Sequence, residues 1–402
     1  MASEHHTTVK EPLIHITKNA AMPFWKGLLI RATAVVAAFL FCSLLAALFI
    51  GANPGEFIRA FIEGNFGGGA WSLAKIRIWE LIKGTAILLI ISLAVTPAFR
   101  MRFWNIGAEG QVLISALASA AVVYYGKGIK QEWLLLVLML IAAVAAGIIW
   151  AAIPAIFKAL WNANETLFTL MMNYVATLSV AYFLVIWTKD KNGSSSLGEL
   201  QRGHLPSFGN TYLVFTIIVL LTTAFMFVYL YYSKQGYEIS VVGESQRTAR
   251  YIGINVKKVI VRTMILSGAI CGLTGFMLVA ALDHTITVDT VGGRGFTAII
   301  VSWLANFNPL IMIGTALLVV FLNLGAGQLA TTFRVSNAFP DVVVGIVIFF
   351  VIGCEFFIRY KVHFRHKNRH AAGAIHSGSG HGNDQENAAP APAIPDKGGK
   401  LK

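Results

Sequence analysis

The segment Arg100-Met101-Arg102-Phe103-Trp104-Asn105-Ile106-Gly107-Ala108-Glu109-Gly110-Gln111 separates two apolar runs, residues 78–99 before it and a stretch reaching Tyr125 after it. Each run is close to the about 20 residues that a helix needs to cross a bilayer. The segment between them is different in kind. A basic pair leads into Asn105, Glu109 and Gln111, polar groups that are costly at the mouth of a membrane helix unless they face a cavity or a partner. Gly107 and Gly110 beside them would let another backbone come close.

The rest of the chain repeats the theme. Of its 402 residues 56% are hydrophobic and only 13% are charged, where a soluble domain carries roughly a quarter; the mean hydropathy is +0.68. The expectation is an all-α, polytopic transmembrane bundle of about ten membrane segments, one or more of them short or broken. Nine lie at 28–50, 78–99, 105–125, 133–157, 165–187, 211–232, 259–282, 310–330 and 342–358, and a short one at 296–305. Continuous apolarity, without strand-like alternation, excludes a barrel. Residues 51–77 hold Asn53-Pro54-Gly55 and Gly67-Gly68-Gly69 and read as a loop with a short surface helix.

Three regions follow: a polar lead-in at 1–27, a membrane domain at 28–358, and a basic, low-complexity tail at 359–402 expected to be disordered. No cleavable signal segment is evident at the N-terminus. The net charge of +13 reflects Lys and Arg gathered at helix ends and in the tail, so nucleic acid is not an expected partner; the lipid bilayer is. The distribution of Lys and Arg favours both termini in the cytoplasm. Cys42, Cys271 and Cys354 lie inside apolar runs and read as small buried hydrophobes. No histidine pair has ligand spacing on a helix, and no metal site is expected.

Glu109 falls in the first turn of its span. It is either a carboxylate held by the helix dipole and by Arg100 or Arg102, or a group lining a pathway; both can hold together. A second polar stretch opens at Asn164, a good N-cap, followed by Glu165. Thr166, Thr169, Asn173 and Thr177 then form one stripe along an apolar helix. Threonine can bond back to its own helix, but asparagine does so less readily, so Asn173 should face a neighbour or water. In the polar connector 236–258, residues 244–252 read as one short amphipathic helix ended by Gly253. Glu244 and Arg247 could pair on it, and Ala249, Tyr251 and Ile252 could be buried by a docked partner. Gly292-Gly293-Arg294-Gly295 lacks the Lys-Ser/Thr of a phosphate loop and reads as an outer turn before a half-helix.

Three motifs carry a family resemblance: 103–111, then Ala163-Asn164-Glu165-Thr166-Leu167 with 170–176, then Gly243-Glu244-Ser245 with 249–254. Gly295-Phe296 through Asn308-Pro309 adds a fourth. In this order they resemble the permease subunits of bacterial ABC importers of the branched-chain amino acid/ribose/nucleoside class, closest to the nucleoside branch associated with basic membrane proteins. The likeness covers about 81–358. Trp104 and Ser302-Trp303-Leu304-Ala305 depart from it, standing where the family more often has Phe and small aliphatics ending in Gly.

The resemblance implies a non-catalytic subunit of a bacterial plasma-membrane importer. A second permease, a cytoplasmic ABC ATPase carrying the ATP-Mg, and an extracellular solute-binding lipoprotein or periplasmic protein would complete it; no cofactor is expected in this chain. By similarity, Asn105, Glu109, Gln111, Thr166, Thr169, Asn173 and Thr177 would lie along the translocation interface. Glu244, Arg247, Arg250, Tyr251 and Gly253 would couple to the ATPase. A neutral, flat, hydroxylated solute such as a nucleoside suits such a lining. The alternatives are a ribose-like sugar permease and a proton-coupled secondary transporter using Glu109 and Glu165.

Overall fold

A computed structural model describes residues 14–18, 23–69, 71–188, 196–206, 211–336 and 338–364. Thirteen α-helices occur among them. In chain order they are α1 (Phe24–Ile50), α2 (Pro54–Phe66), α3 (Trp71–Arg100), α4 (Ala108–Tyr125), α5 (Glu132–Trp161), α6 (Glu165–Thr188), α7 (Thr211–Tyr232), α8 (Lys234–Glu244), α9 (Gln246–Tyr251), α10 (Val256–Met277), α11 (Arg294–Leu304), α12 (Pro309–Phe333) and α13 (Ala338–Arg359). Nine of these, among the described residues, are long and apolar enough to cross a membrane, and α11 is a tenth, shorter apolar helix. The expected polytopic bundle, with one short segment, is what the chain forms.

Local chemistry sets many of the ends. The Asn53 side chain accepts from Gly55 N–H ahead of α2, Asn164 from Leu167 N–H ahead of α6, Asn255 from Lys258 N–H ahead of α10, and Asn308 from Leu310 N–H ahead of α12. Each satisfies a donor that the first turn leaves unpaired. α10 continues through a π-helical turn, Leu278–Asp283, before the chain leaves the bundle.

The larger core is built by α3, α4, α5 and α10, joined by α7 and α11. Small residues bring these helices together: a Cβ added at Gly147 or Gly268 would strike the carbonyl of the other, and one at Gly275 would meet the α4 backbone. Residues 86–99 of α3 are buried without a break, so α3 is the central post. A second core joins α1, α2, α12 and α13. There Phe61 packs edge-on against Phe39 and Phe321, and Arg31 pairs with Glu355 at 2.8 Å.

Two expectations change. The region 359–402 was expected to be disordered, but Tyr360–Phe364 forms a strand, β2, paired antiparallel with β1 (Ile14–Lys18) from the polar lead-in. Both pieces alternate apolar and polar residues, which suits a two-stranded ladder; residues 365–402 lie outside the described ones. The connector also departs from the single helix at 244–252. α8 ends at Glu244, and Ser245 takes an extended conformation (φ −156°) and caps α9 through Thr248 N–H. Glu244 and Arg247 therefore sit on different helices and share no helical face.

Candidate functional site

Residues 101–107 join α3 to α4, and their backbone leaves the helical ladder. Arg102 takes φ 59°, a left-handed conformation that non-glycine residues rarely adopt. The freed peptide groups must find partners inside the protein, since a bilayer supplies none. Three polar side chains provide them. Asn105 Oδ1 accepts from Gly107 N–H (3.0 Å) and from Gln111 Nε2 (3.2 Å), while its Nδ2 donates to Ser267 Oγ of α10 (3.3 Å). From α6, Thr169 Oγ1 accepts from Ile106 N–H (3.2 Å). Asn173 Oδ1 accepts from Gly110 N–H (2.9 Å) and its Nδ2 donates to the Ile106 carbonyl (3.0 Å).

The glycines of this segment are needed for that contact. A Cβ at Gly110 would lie 2.9 Å from Asn173 Oδ1, and one at Gly107 would lie 3.1 Å from Thr169 Cβ. The structure thus brings Asn105, Gln111, Thr169 and Asn173 together, all of them buried. Asn173 faces a neighbour, as expected. Thr166 is half-buried and Thr177 is exposed and bonds back to the Asn173 carbonyl, so the stripe along α6 divides in two. Glu165 pairs with Lys158 at 2.8 Å.

Glu109 has other partners than the expected Arg100 or Arg102. Its Oε1 accepts from Gly293 N–H and its Oε2 from Gly295 N–H, both at 2.7 Å. One carboxylate thus occupies the first turn of α4 and caps the start of α11, where two helix N-termini converge. A Cβ at Gly295 would collide with the Glu109 backbone. Arg100 instead lies over the Tyr231 ring, 4.7 Å from its centroid.

This meeting point is not at an end of the bundle, and the expected placement of Glu109 near the inner face and Gly292–Gly295 outside does not hold for both. Asn105 meets Ser267, which lies 11 residues along α10, or about 16 Å from its start. α11 runs beside α3 in the same direction: Ser302 Oγ donates to the Ser92 carbonyl at 2.9 Å, and farther on Phe307 stacks on Phe99 at 6.4 Å. Gly295 therefore lies alongside the middle of α3. The first break, 101–107, is folded into the interior, whereas the second, 305–308, lies one α11 length beyond Gly295, beside Phe99 near the end of α3.

The second break is strained too. Asn306 and Phe307 are both left-handed, at φ 51° and 58°. Trp104 from the first break and Trp303 from the last turn of α11, just before the second, meet edge-to-face, with centroids 5.3 Å apart at 64°. Periodicity within either segment could not have paired them.

The connector touches the first break directly. Gly243, near the end of α8, lies so close to the Arg100 carbonyl that a Cβ would overlap it, and Arg262 of α10 pairs with Glu238 of α8 at 2.8 Å. Ala249 is fully buried within the chain, whereas Tyr251 is 93% exposed and Ile252 is exposed beside it. Gly253 (φ 84°) closes α9 with its N–H on the Arg250 carbonyl, the left-handed stop that the sequence suggests. At the other end of the bundle, Lys83 lies 3.6 Å from Asp283, and the rings of His204 and His284 stack at 4.1 Å. Burial and the neighbouring His204 hold the His284 imidazole below the usual histidine range.

The sequence matches the family described as branched-chain amino acid transport system/permease component over residues 78–352. Among curated proteins, it is 31% identical to the guanosine ABC transporter permease protein NupP of Bacillus subtilis, over 68% of this chain and 80% of that protein. It is 28% identical to the glucose ABC transporter permease protein TsgB13 of Haloferax volcanii, over 72% and 79% of the two. The nucleoside ABC transporter permease protein NupB of Lactococcus lactis is 24% identical, over 68% and 78%. No solved structure matches the chain.

Proposed function

The chain belongs to the family of branched-chain amino acid transport system permease components, and on that premise we propose that it is the membrane permease of an ABC importer for nucleosides or related purine and pyrimidine solutes. It supplies a route through the bilayer and no nucleotide-hydrolysing site; ATP-Mg is bound by a separate ATPase subunit. A second permease and an extracellular solute-binding lipoprotein or periplasmic protein complete the importer. It works in a bacterial plasma membrane with both termini in the cytoplasm, which makes the Arg100 end of the bundle cytoplasmic. The observation that carries the reading is the contact between Gly243 and the Arg100 carbonyl. The solvent-exposed turn at Tyr251 is thereby one helix away from the broken segment 101–107, which supports reading it as the docking tip.

The mechanism follows from that linkage. An ATPase gripping Tyr251, with Arg247 and Arg250 beside it, would move α9 and α8 as its two halves close on ATP. α8 has no room to slide against Arg100 without displacing it, so α3 and residues 101–107 move with it. Glu109 then carries the motion to α11 through its two hydrogen bonds. Transport needs only that solute and nucleotide bind the two arrangements with different affinity. The pathway role read for Asn105, Gln111, Thr169 and Asn173 becomes indirect: they hold the broken segment in shape, while Glu109 joins its moving parts.

A sugar solute is the second reading, favoured by the likeness to a glucose permease. The experiment for the class is uptake in proteoliposomes containing the complete importer. Arg250→Glu with Gly253→Pro should leave the chain in the membrane and abolish ATP-dependent uptake. Undiminished uptake in that double variant rejects the docking assignment, and uptake that collapses with an uncoupler but ignores ATP rejects the ABC mechanism.

A further inference from the structure

We propose that Trp104 and Trp303 form a stacking site for a planar heterocycle, the base of a nucleoside, on the route through the protein; this rests on the permease reading above. Both side chains are half-exposed, 43% and 49%, where the first break and the last turn of α11 meet beside Phe99. Their edge-to-face arrangement leaves ring faces open for a third aromatic plane.

The pair is held from behind. Phe99, which is buried, meets Trp104 edge-on at 5.8 Å and 76° and stacks on Phe307 at 8°. The backbone on both sides is committed to the same geometry: left-handed Arg102 precedes Trp104, and left-handed Asn306 and Phe307 follow Trp303. Strain of this kind persists where the surroundings over-determine it, often at binding sites. Here three strained residues bracket two tryptophans, and Phe99 packs on Trp104 and on Phe307, four residues after Trp303.

The surface around the pair argues against a purely lipid-facing role. Along α11 from Trp303 come the half-buried Ile300 and Thr297 and the exposed Phe296, up to the Gly293 N–H that donates to Glu109. A glutamate, Glu109, and an arginine, Arg294, both half-buried, therefore stand at the far end of this strip from the tryptophans, alongside the middle of α3. Charged groups at that depth face protein or water far more often than lipid. A strip with open π faces at one end and hydrogen-bonding groups at the other fits a solute with a flat apolar face and a polar edge. A free pentose or hexose brings no π face to such a pair.

The test uses the complete importer in proteoliposomes, with guanosine and ribose as the transported probes. Trp104→Leu and Trp303→Leu should each raise the KM for guanosine about tenfold, the scale of a lost base–aromatic stack. Trp104→Phe should restore most of it, free guanine should compete and ribose should not. ATPase activity without solute and co-isolation of the second permease should stay at the parent level. An unchanged KM in the leucine variants, as for simple interfacial anchors, overturns the proposal. So does loss of the second permease, which would make the pair a subunit interface. A parent importer that moves ribose but not guanosine overturns the stacking site and leaves the permease reading standing; one that moves neither on ATP overturns both.

Discussion

Asn173 is 6% exposed and spends both ends of its amide on the backbone of the first break and of the α4 turn that follows it, whereas Tyr251 is 93% exposed at the tip of the connector. Both are polar-bearing residues in an apolar chain, and both stand out in the sequence for that reason. Their environments are opposite. Inside a bundle that water does not reach, a helix can be broken only where side chains replace the missing helical hydrogen bonds, and Asn105, Thr169 and Asn173 do this for residues 105–110. At the tip of the connector Ala249 is buried and Ser245 caps α9, while Tyr251 and Ile252 stay exposed. Polarity alone marks both regions; only whether the group is already spent separates scaffold from surface.

That contrast is open to measurement. The largest stability effect should come from Asn173→Leu, which leaves the Gly110 N–H and the Ile106 carbonyl buried without their partner. The expected loss is about 2–4 kcal/mol, read as a lower unfolding temperature in detergent, and an unshifted temperature would break the distinction. Glu109→Gln should cost less, about 1–2 kcal/mol, because one amide oxygen can still accept from Gly293 or Gly295 but not from both. The loosening should be local, visible as faster amide exchange at 293–297. Tyr251→Ala should change stability by no more than about 0.5 kcal/mol, yet reduce co-isolation of the ATPase. A Tyr251 variant that melts early would show that the connector, too, is scaffold.

Individual residues show how far the sequence could be read. Asn164 as a cap, Gly253 as a stop and the three buried cysteines follow from rules that act within one helical turn or one apolar run. Gly107 and Gly110 were legible as close-packing positions, though not which helix they receive. The division of the connector at Ser245 was not legible, because one helix or two would bury the same Ala249. Along the chain Arg100 and Arg102 are the nearest candidate partners of Glu109, but in space its carboxylate accepts from the Gly293 and Gly295 amides.

By itself, the sequence determined that this is a multi-pass helical membrane protein of the permease family, where most of its helices run, and which short segments interrupt them. Hydropathy and capping are local properties, legible over about 20 residues. Only the tertiary structure decided that Glu109 caps a helix 184 residues away, that the second break packs beside Phe99 near the end of α3, and that Trp104 faces Trp303. Those contacts depend on how α3, α10 and α11 align side by side, set by glycines and small residues whose partners lie in distant parts of the chain.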